Sequence, residues 1–126
     1  MPPEVTSTTK INLGNTAFEA MQSPAGAQLV FEDDGETKYL YVLGPDSTIQ
    51  EAIGLRPTDC ADTQTGPVLS VSWSANGNVA KASTAQNVVA IVDFEHKQIY
   101  SASGFPNPRS WRQVDQAVAE ACFAAA

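Results

Sequence analysis

The segment from Gln28 to Leu43, QLVFEDDGETKYLYVL, constrains the fold more than any other stretch of the chain. Two apolar runs flank an Asp34-Gly35 step, a dipeptide that tolerates positive φ at both turn positions and so folds one strand back on the next. Leu29, Phe31, Tyr39 and Tyr41 supply the bulk of the stem, while Glu32, Asp33, Asp34 and Glu36 crowd the turn. A β-hairpin with an acidic tip is the expected result.

The same punctuation recurs on both sides of it. Ile11 to Leu13 and Ala17 to Met21 read as short strands separated by Gly14-Asn15. Gly44-Pro45-Asp46-Ser47 is a second turn cluster, and Ile49 to Leu55, too short for a helix, reads as a strand. Thr58 to Gly66 is a polar loop carrying Asp59, Cys60 and Asp62, by default a connection and otherwise a contact surface. Val68 to Ser74 then places Leu69, Val71 and Trp73 on one face and serines on the other, as a half-buried strand requires. Asn76-Gly77 turns the chain, and Asn78 to Ser83, Asn87 to Phe94 and Lys97 to Ser103 complete a four-strand meander.

Gly104-Phe105-Pro106-Asn107-Pro108 ends the sheet pattern, since two prolines remove two backbone donors. Phe105 is expected to pack against Trp111 at this crossing. Ser110 and Gln113 form a capping box, and Trp111, Val114, Val118, Ala121, Cys122 and Ala125 recur at helical spacing. The predicted class is therefore α+β: a curved antiparallel meander of about six to eight strands, partly or wholly closed in the manner of a barrel, with one C-terminal helix over 110–125. A chain of 126 residues fits a single domain over 1–126, with residues 1–9 as a loose leader.

Charge is distributed unevenly. Of the net −7, residues 1–66 carry ten acids against three bases, whereas residues 67–126 carry four of each. If the first half forms one side of the fold, its acidic face repels nucleic-acid phosphates and anionic membranes and attracts basic partners; the alternative is that the charge simply keeps the protein soluble. No run approaches membrane-spanning length and the first residues lack an apolar signal region, so a cytoplasmic protein with reduced Cys60 and Cys122 is expected.

Candidate chemistry is sparse. The carboxylates Glu32, Asp33, Asp34 and Glu36 lack the spacing of a calcium loop and read as a partner-binding surface for lysine and arginine, or as a solvated turn that protects a strand edge. His96, the single histidine, lies in a turn between Glu95 and Lys97; as a general base it needs a nucleophile and an orienting acid that sequence alone does not bring to it. His96, Cys60 and Cys122 are scattered singly, without the close ligand pairs of a structural zinc site, so neither metal nor cofactor is expected. No phosphate-binding loop, dinucleotide fingerprint or nucleophile elbow is present. Trp73, Tyr100 and Trp111 read as core, or as the lining of a ligand cavity in a cupped sheet.

The run FEDDGETKYLYVL, then WSANG at Trp73 to Gly77, VDF at Val92 to Phe94, and GFPNP followed by Trp111 together resemble a small bacterial protein family of unassigned function. The resemblance covers roughly Leu29 to Trp111, with Asn76 and Val92 departing from its more usual Asp and Phe. It implies no catalytic residues. The leading functional expectation is a non-enzymatic acidic binding protein, of the cytoplasmic immunity or inhibitor kind, that holds a basic protein partner such as a toxin. The alternatives are a small-ligand binder on a cupped sheet and a small enzyme using His96 or carboxylates. An exposed strand edge would also admit a homodimer.

Overall fold

The computed structural model describes residues 8–12, 17–23, 25–33, 38–44, 46–55, 68–84, 87–102 and 111–126. Among them lie ten strands and one helix: β1 (Thr8–Asn12), β2 (Ala17–Gln22), β3 (Gln28–Asp33), β4 (Lys38–Leu43), β5 (Ile49–Leu55), β6 (Val68–Trp73), β7 (Val79–Ser83), β8 (Val88–Asp93), β9 (Gln98–Ser101), β10 (Arg112–Gln113) and α1 (Gln116–Ala125). Strands β2-β3-β4-β5 form one sheet, and β1-β6-β7-β8-β9-β10 form the other. Pairing is antiparallel except between β9 and β10.

The α+β class holds, as do the hairpin, the four-strand meander β6 to β9 and the strand at Ile49–Leu55. One continuous curved meander does not. The strands exceed eight, they divide into two sheets, and neither sheet closes into a barrel among the described residues. Division follows from where β1 goes: it pairs with β6, Thr8 opposite Ser72 and Ile11 opposite Leu69, instead of continuing into β2. Each sheet is left with one strongly apolar face, and stacking the two faces buries both.

That stacking is visible in the core. Leu29, Phe31, Leu40, Val42 and Ile53 of the four-stranded sheet share one buried cluster with Leu69, Val71, Trp73, Ala90, Val92 and Ile99 of the six-stranded sheet. On the far side of the larger sheet, Val79 and Ile91 meet Ala119 of α1, with Tyr100, Val114 and Phe123 around them. Strand β8 is thus covered on both faces, which is why its sequence VVAIVD runs apolar without alternation.

Three local expectations change. Thr8 and Thr9 belong to β1 and not to a loose leader, since this β-branched pair joins the free edge of β6. The helix begins at Gln116, six residues later than position 110, because the Asp115 carboxylate accepts the Val118 N–H at 2.9 Å and caps it there. Trp111 precedes α1, and Arg112–Gln113 instead pair with β9, with Arg112 N–H donating to Lys97 O and Val114 N–H to Ile99 O. The proposed cap Ser110, the Phe105-Pro106-Pro108 step and the Asp34-Gly35 step lie outside the described residues. The register sets Asp33 opposite Lys38. No helix among the described residues is long and apolar enough to cross a membrane.

Candidate functional site

Three places hold the residues singled out from sequence. The first is the outer face of the four-stranded sheet. Alternation along β3 turns Leu29, Phe31 and Asp33 inward and Gln28, Val30 and Glu32 outward. The register then lines up Phe18, Glu32, Tyr39 and Gly54 across the four strands, and beside them Ala20, Val30, Tyr41 and Ala52. Phe18 is 67% exposed and Tyr39 36%. The Tyr39 and Tyr41 rings stack at 5.9 Å between centroids, and Tyr41 Oη–H reaches Glu32 Oε1 at 3.5 Å. Because α1 packs on β7, β8 and β9, no described helix covers this face.

The two tip carboxylates among the described residues point to opposite faces of the sheet. Glu32 stands on the aromatic face, whereas Asp33 points inward, is buried, and lies 3.8 Å from Lys38 Nζ. Asp34 and Glu36 lie outside the described residues.

The second place is a row of aromatic rings. Phe94 sits between Trp73, tilted at 5.8 Å, and Trp111, edge-on at 5.5 Å. Trp73 is sealed in the core, and Tyr100 lies on the opposite face of its sheet beneath α1, donating to Gln116 Oε1 at 3.4 Å. The three residues therefore do not line one cavity. Trp111 alone among them borders an open groove of about 560 Å³, together with Phe94, Ala27, Leu43, Gln28 and Gln50. Its indole Nε1 is buried and has no hydrogen-bond partner among the described residues.

The third place was not legible as a site. Asp93 ends β8, His96 sits in the β8–β9 turn, and Cys122 lies on α1 packed above them. Asp93 is buried; its Oδ1 accepts the N–H groups of Glu95 and His96, each at 3.0 Å, and its Oδ2 lies 2.8 Å from His96 Nδ1. Those bonds hold the turn and orient the imidazole, and Lys97 completes the turn in left-handed backbone at φ 53°. The donor atoms of Asp93, His96 and Cys122 all lie within 4.8 Å of one another, beside a cavity of about 280 Å³.

His96 thus has an orienting acid and a neighbouring thiol. Hydrogen bonding to Asp93, reinforced by that carboxylate's charge, raises the imidazole pKa above its ordinary 6.5. Desolvation, then the bond and charge of Asp93, push the Cys122 thiol up from 9.0. A nucleophilic cysteine requires the opposite shift, toward thiolate at neutral pH. Ser101, a hydroxyl in the second half of the chain, is buried on the Ile99 side of β9, and Cys60 lies outside the described residues.

No curated protein and no solved structure matches the chain. A family profile described as "Uncharacterized protein conserved in bacteria (DUF2251)" does match, over residues 11–125, which takes in the end of β1 and every element from β2 to α1. The segments FEDDG, WSANG and VDF that suggested a small bacterial family of unassigned function all fall within that span, and the chain belongs to this uncharacterized bacterial family.

Proposed function

We propose that the protein is a non-enzymatic binding protein whose aromatic, acidic sheet face docks on a basic protein, in the manner of an immunity protein that blocks a cationic toxin. The observation that carries this reading is the outer face of β2 to β5, which no described helix covers, with Phe18, Tyr39 and Tyr41 set around Glu32. Tyrosine and phenylalanine are enriched where proteins meet, and carboxylates beside them select a cationic partner and speed its approach. Residues 17–55, the segment that contains this sheet, hold seven acids and one base.

Size supports a contact larger than the rings alone. Four strands about 4.8 Å apart and six residues long present roughly 20 by 20 Å, about half of the ~800 Å² per partner in a stable complex. The partner must therefore extend onto the strand connections, where Asp34, Glu36 and Asp46 occur in the chain.

Asp33 is a poor residue to test, since a change there strikes a buried group paired with Lys38. The informative bait is a Glu32→Lys, Tyr39→Ala double variant, beside Glu95→Lys as a control on the exposed β8–β9 turn. A basic protein held by the native chain and the control, released by salt and lost from the double variant, is the expected result. Full retention by the double variant would overturn the proposal.

The buried Trp111 Nε1, without a hydrogen-bond partner among the described residues and beside the groove, favours a second reading, a small ligand carrying a hydrogen-bond acceptor. Such a ligand would change the tryptophan fluorescence of the native chain and leave that of Trp111→Phe unchanged.

A further inference from the structure

We propose that Asp93, His96 and Cys122 form a binding site for a zinc-class divalent ion, with one coordination position open to the adjoining cavity. Three observations carry it. The donors are a carboxylate oxygen, an imidazole nitrogen and a sulfur, a borderline-soft set that suits Zn²⁺ and disfavours Mg²⁺ or Ca²⁺. They converge from separate elements, the end of β8, the following turn and α1, to within 4.8 Å of one another. The carboxylate is already fixed, because both neighbouring N–H bonds fall on Oδ1 and leave Oδ2 facing the imidazole.

Tetrahedral bonds of roughly 2.0–2.3 Å place neighbouring donors about 3.3–3.7 Å apart. The separation of 2.8 Å between His96 Nδ1 and Asp93 Oδ2 then has to open slightly, and no donor separation has to close by more than about 1.5 Å. The protons leave as the ion enters: the thiol loses its hydrogen to become thiolate, and the ion takes the place of the proton shared between imidazole and carboxylate. Three protein ligands with a fourth position facing a cavity is the pattern of a zinc site that admits water or a small ligand. Because α1 supplies only the sulfur, occupancy would also fasten the helix to the β8–β9 turn.

Cobalt(II) titration of the full chain tests this directly, because a thiolate bound to Co²⁺ gives a charge-transfer band that a carboxylate or imidazole alone does not. One Co²⁺ per chain is expected, with the band kept in Cys60→Ser, abolished in Cys122→Ser, and displaced by Zn²⁺ and not by Mg²⁺. His96→Gln is expected to weaken cobalt binding by at least about tenfold, and the far-UV circular dichroism of each variant establishes that it folds. A folded Cys60→Ser chain that shows no band, or a band that survives Cys122→Ser, would overturn the site.

Discussion

Glu51 offers the sharpest test of how the two sheets are joined. It lies on β5 with no exposed surface, and among the interactions it makes, its Oε1 accepts the Trp111 N–H at 2.8 Å. Glu51→Met keeps side-chain length and removes the acceptor, which leaves a buried N–H unpaired at a cost of about 1–3 kcal/mol. Glu51→Ala adds a void of roughly 50 Å³, and at about 24 cal/mol per Å³ this costs about 1 kcal/mol more. Glu51→Gln retains both an acceptor oxygen and the volume, so it should cost least. In urea, with a slope of about 2 kcal/mol/M, the methionine variant should unfold roughly 0.5–1.5 M below the native chain, with alanine lower still. Amide exchange at Trp111 should accelerate in the methionine variant and stay slow in the glutamine variant. Coincident midpoints for the glutamine and methionine variants would show that the Trp111 bond does not set the energetics of this buried carboxyl.

Other consequences are local. Gly77 has φ +77°, and a Cβ there would lie 3.2 Å from the Ala25 Cβ, the Ala25 nitrogen and the Ser23 Oγ, whereas Gly26 at φ +92° has nothing within 4 Å. Both alanine variants bear the left-handed backbone cost of about 1–3 kcal/mol, and only Gly77→Ala adds crowding; urea midpoints should therefore fall further for Gly77→Ala, and the reverse order would refute the contact. Asp115→Ala should cost about 1 kcal/mol and speed amide exchange in the first turn of α1, most of all at Val118, whose N–H the carboxylate accepts. The Asp93 hydrogen bond raises the folded pKa of His96, so its contribution to stability is complete below the unfolded value near 6.5 and is lost as pH climbs through the raised one. In the presence of a chelator, the stability difference between the native chain and His96→Gln should shrink as pH rises; growth with pH would mean that the imidazole is held neutral.

The fold was legible wherever it rests on local pattern. The β6 alternation, the unbroken apolar run of β8 and the Asn76-Gly77 turn each specify a strand or a reversal through a few neighbouring residues. Strand β1 and the start of α1 were misread because a competing interaction decided them. Thr8 and Thr9 found the β6 edge, and Arg112 and Val114 found β9 before Asp115 opened the helix. The Asp93, His96 and Cys122 cluster was hidden for a related reason. Asp93 and His96 are close in sequence, but Cys122 is separated from them by β9, β10 and half of α1, and only the packing of α1 over β8 brings the thiol there. The single available hint was Asp93 standing three residues before the only histidine, a spacing that lets the carboxylate reach both the turn amides and the ring.

The two sheets handle their outer faces differently, and this difference bears on function. The six-stranded sheet receives α1 on its outer side, where Val79, Ile91 and Ala119 meet, and the apolar residues of β8 are consumed on both faces. The four-stranded sheet keeps the alternation of a strand with one wet face, yet the outward positions hold Phe18, Val30, Tyr39 and Tyr41. Solubility would be served by polar residues at those positions, and none of the four side chains belongs to either buried cluster. The Tyr39 ring lies against Gly54, with Tyr39 Cε1 in ordinary contact range, 3.5 Å, of where a Cβ would stand. A stacked tyrosine pair beside a carboxylate and an exposed phenylalanine is a poor way to end a sheet in water, and it fits the proposed docking of a cationic protein, in which the rings would supply contact area at low entropic cost and Glu32 would select the sign of the charge.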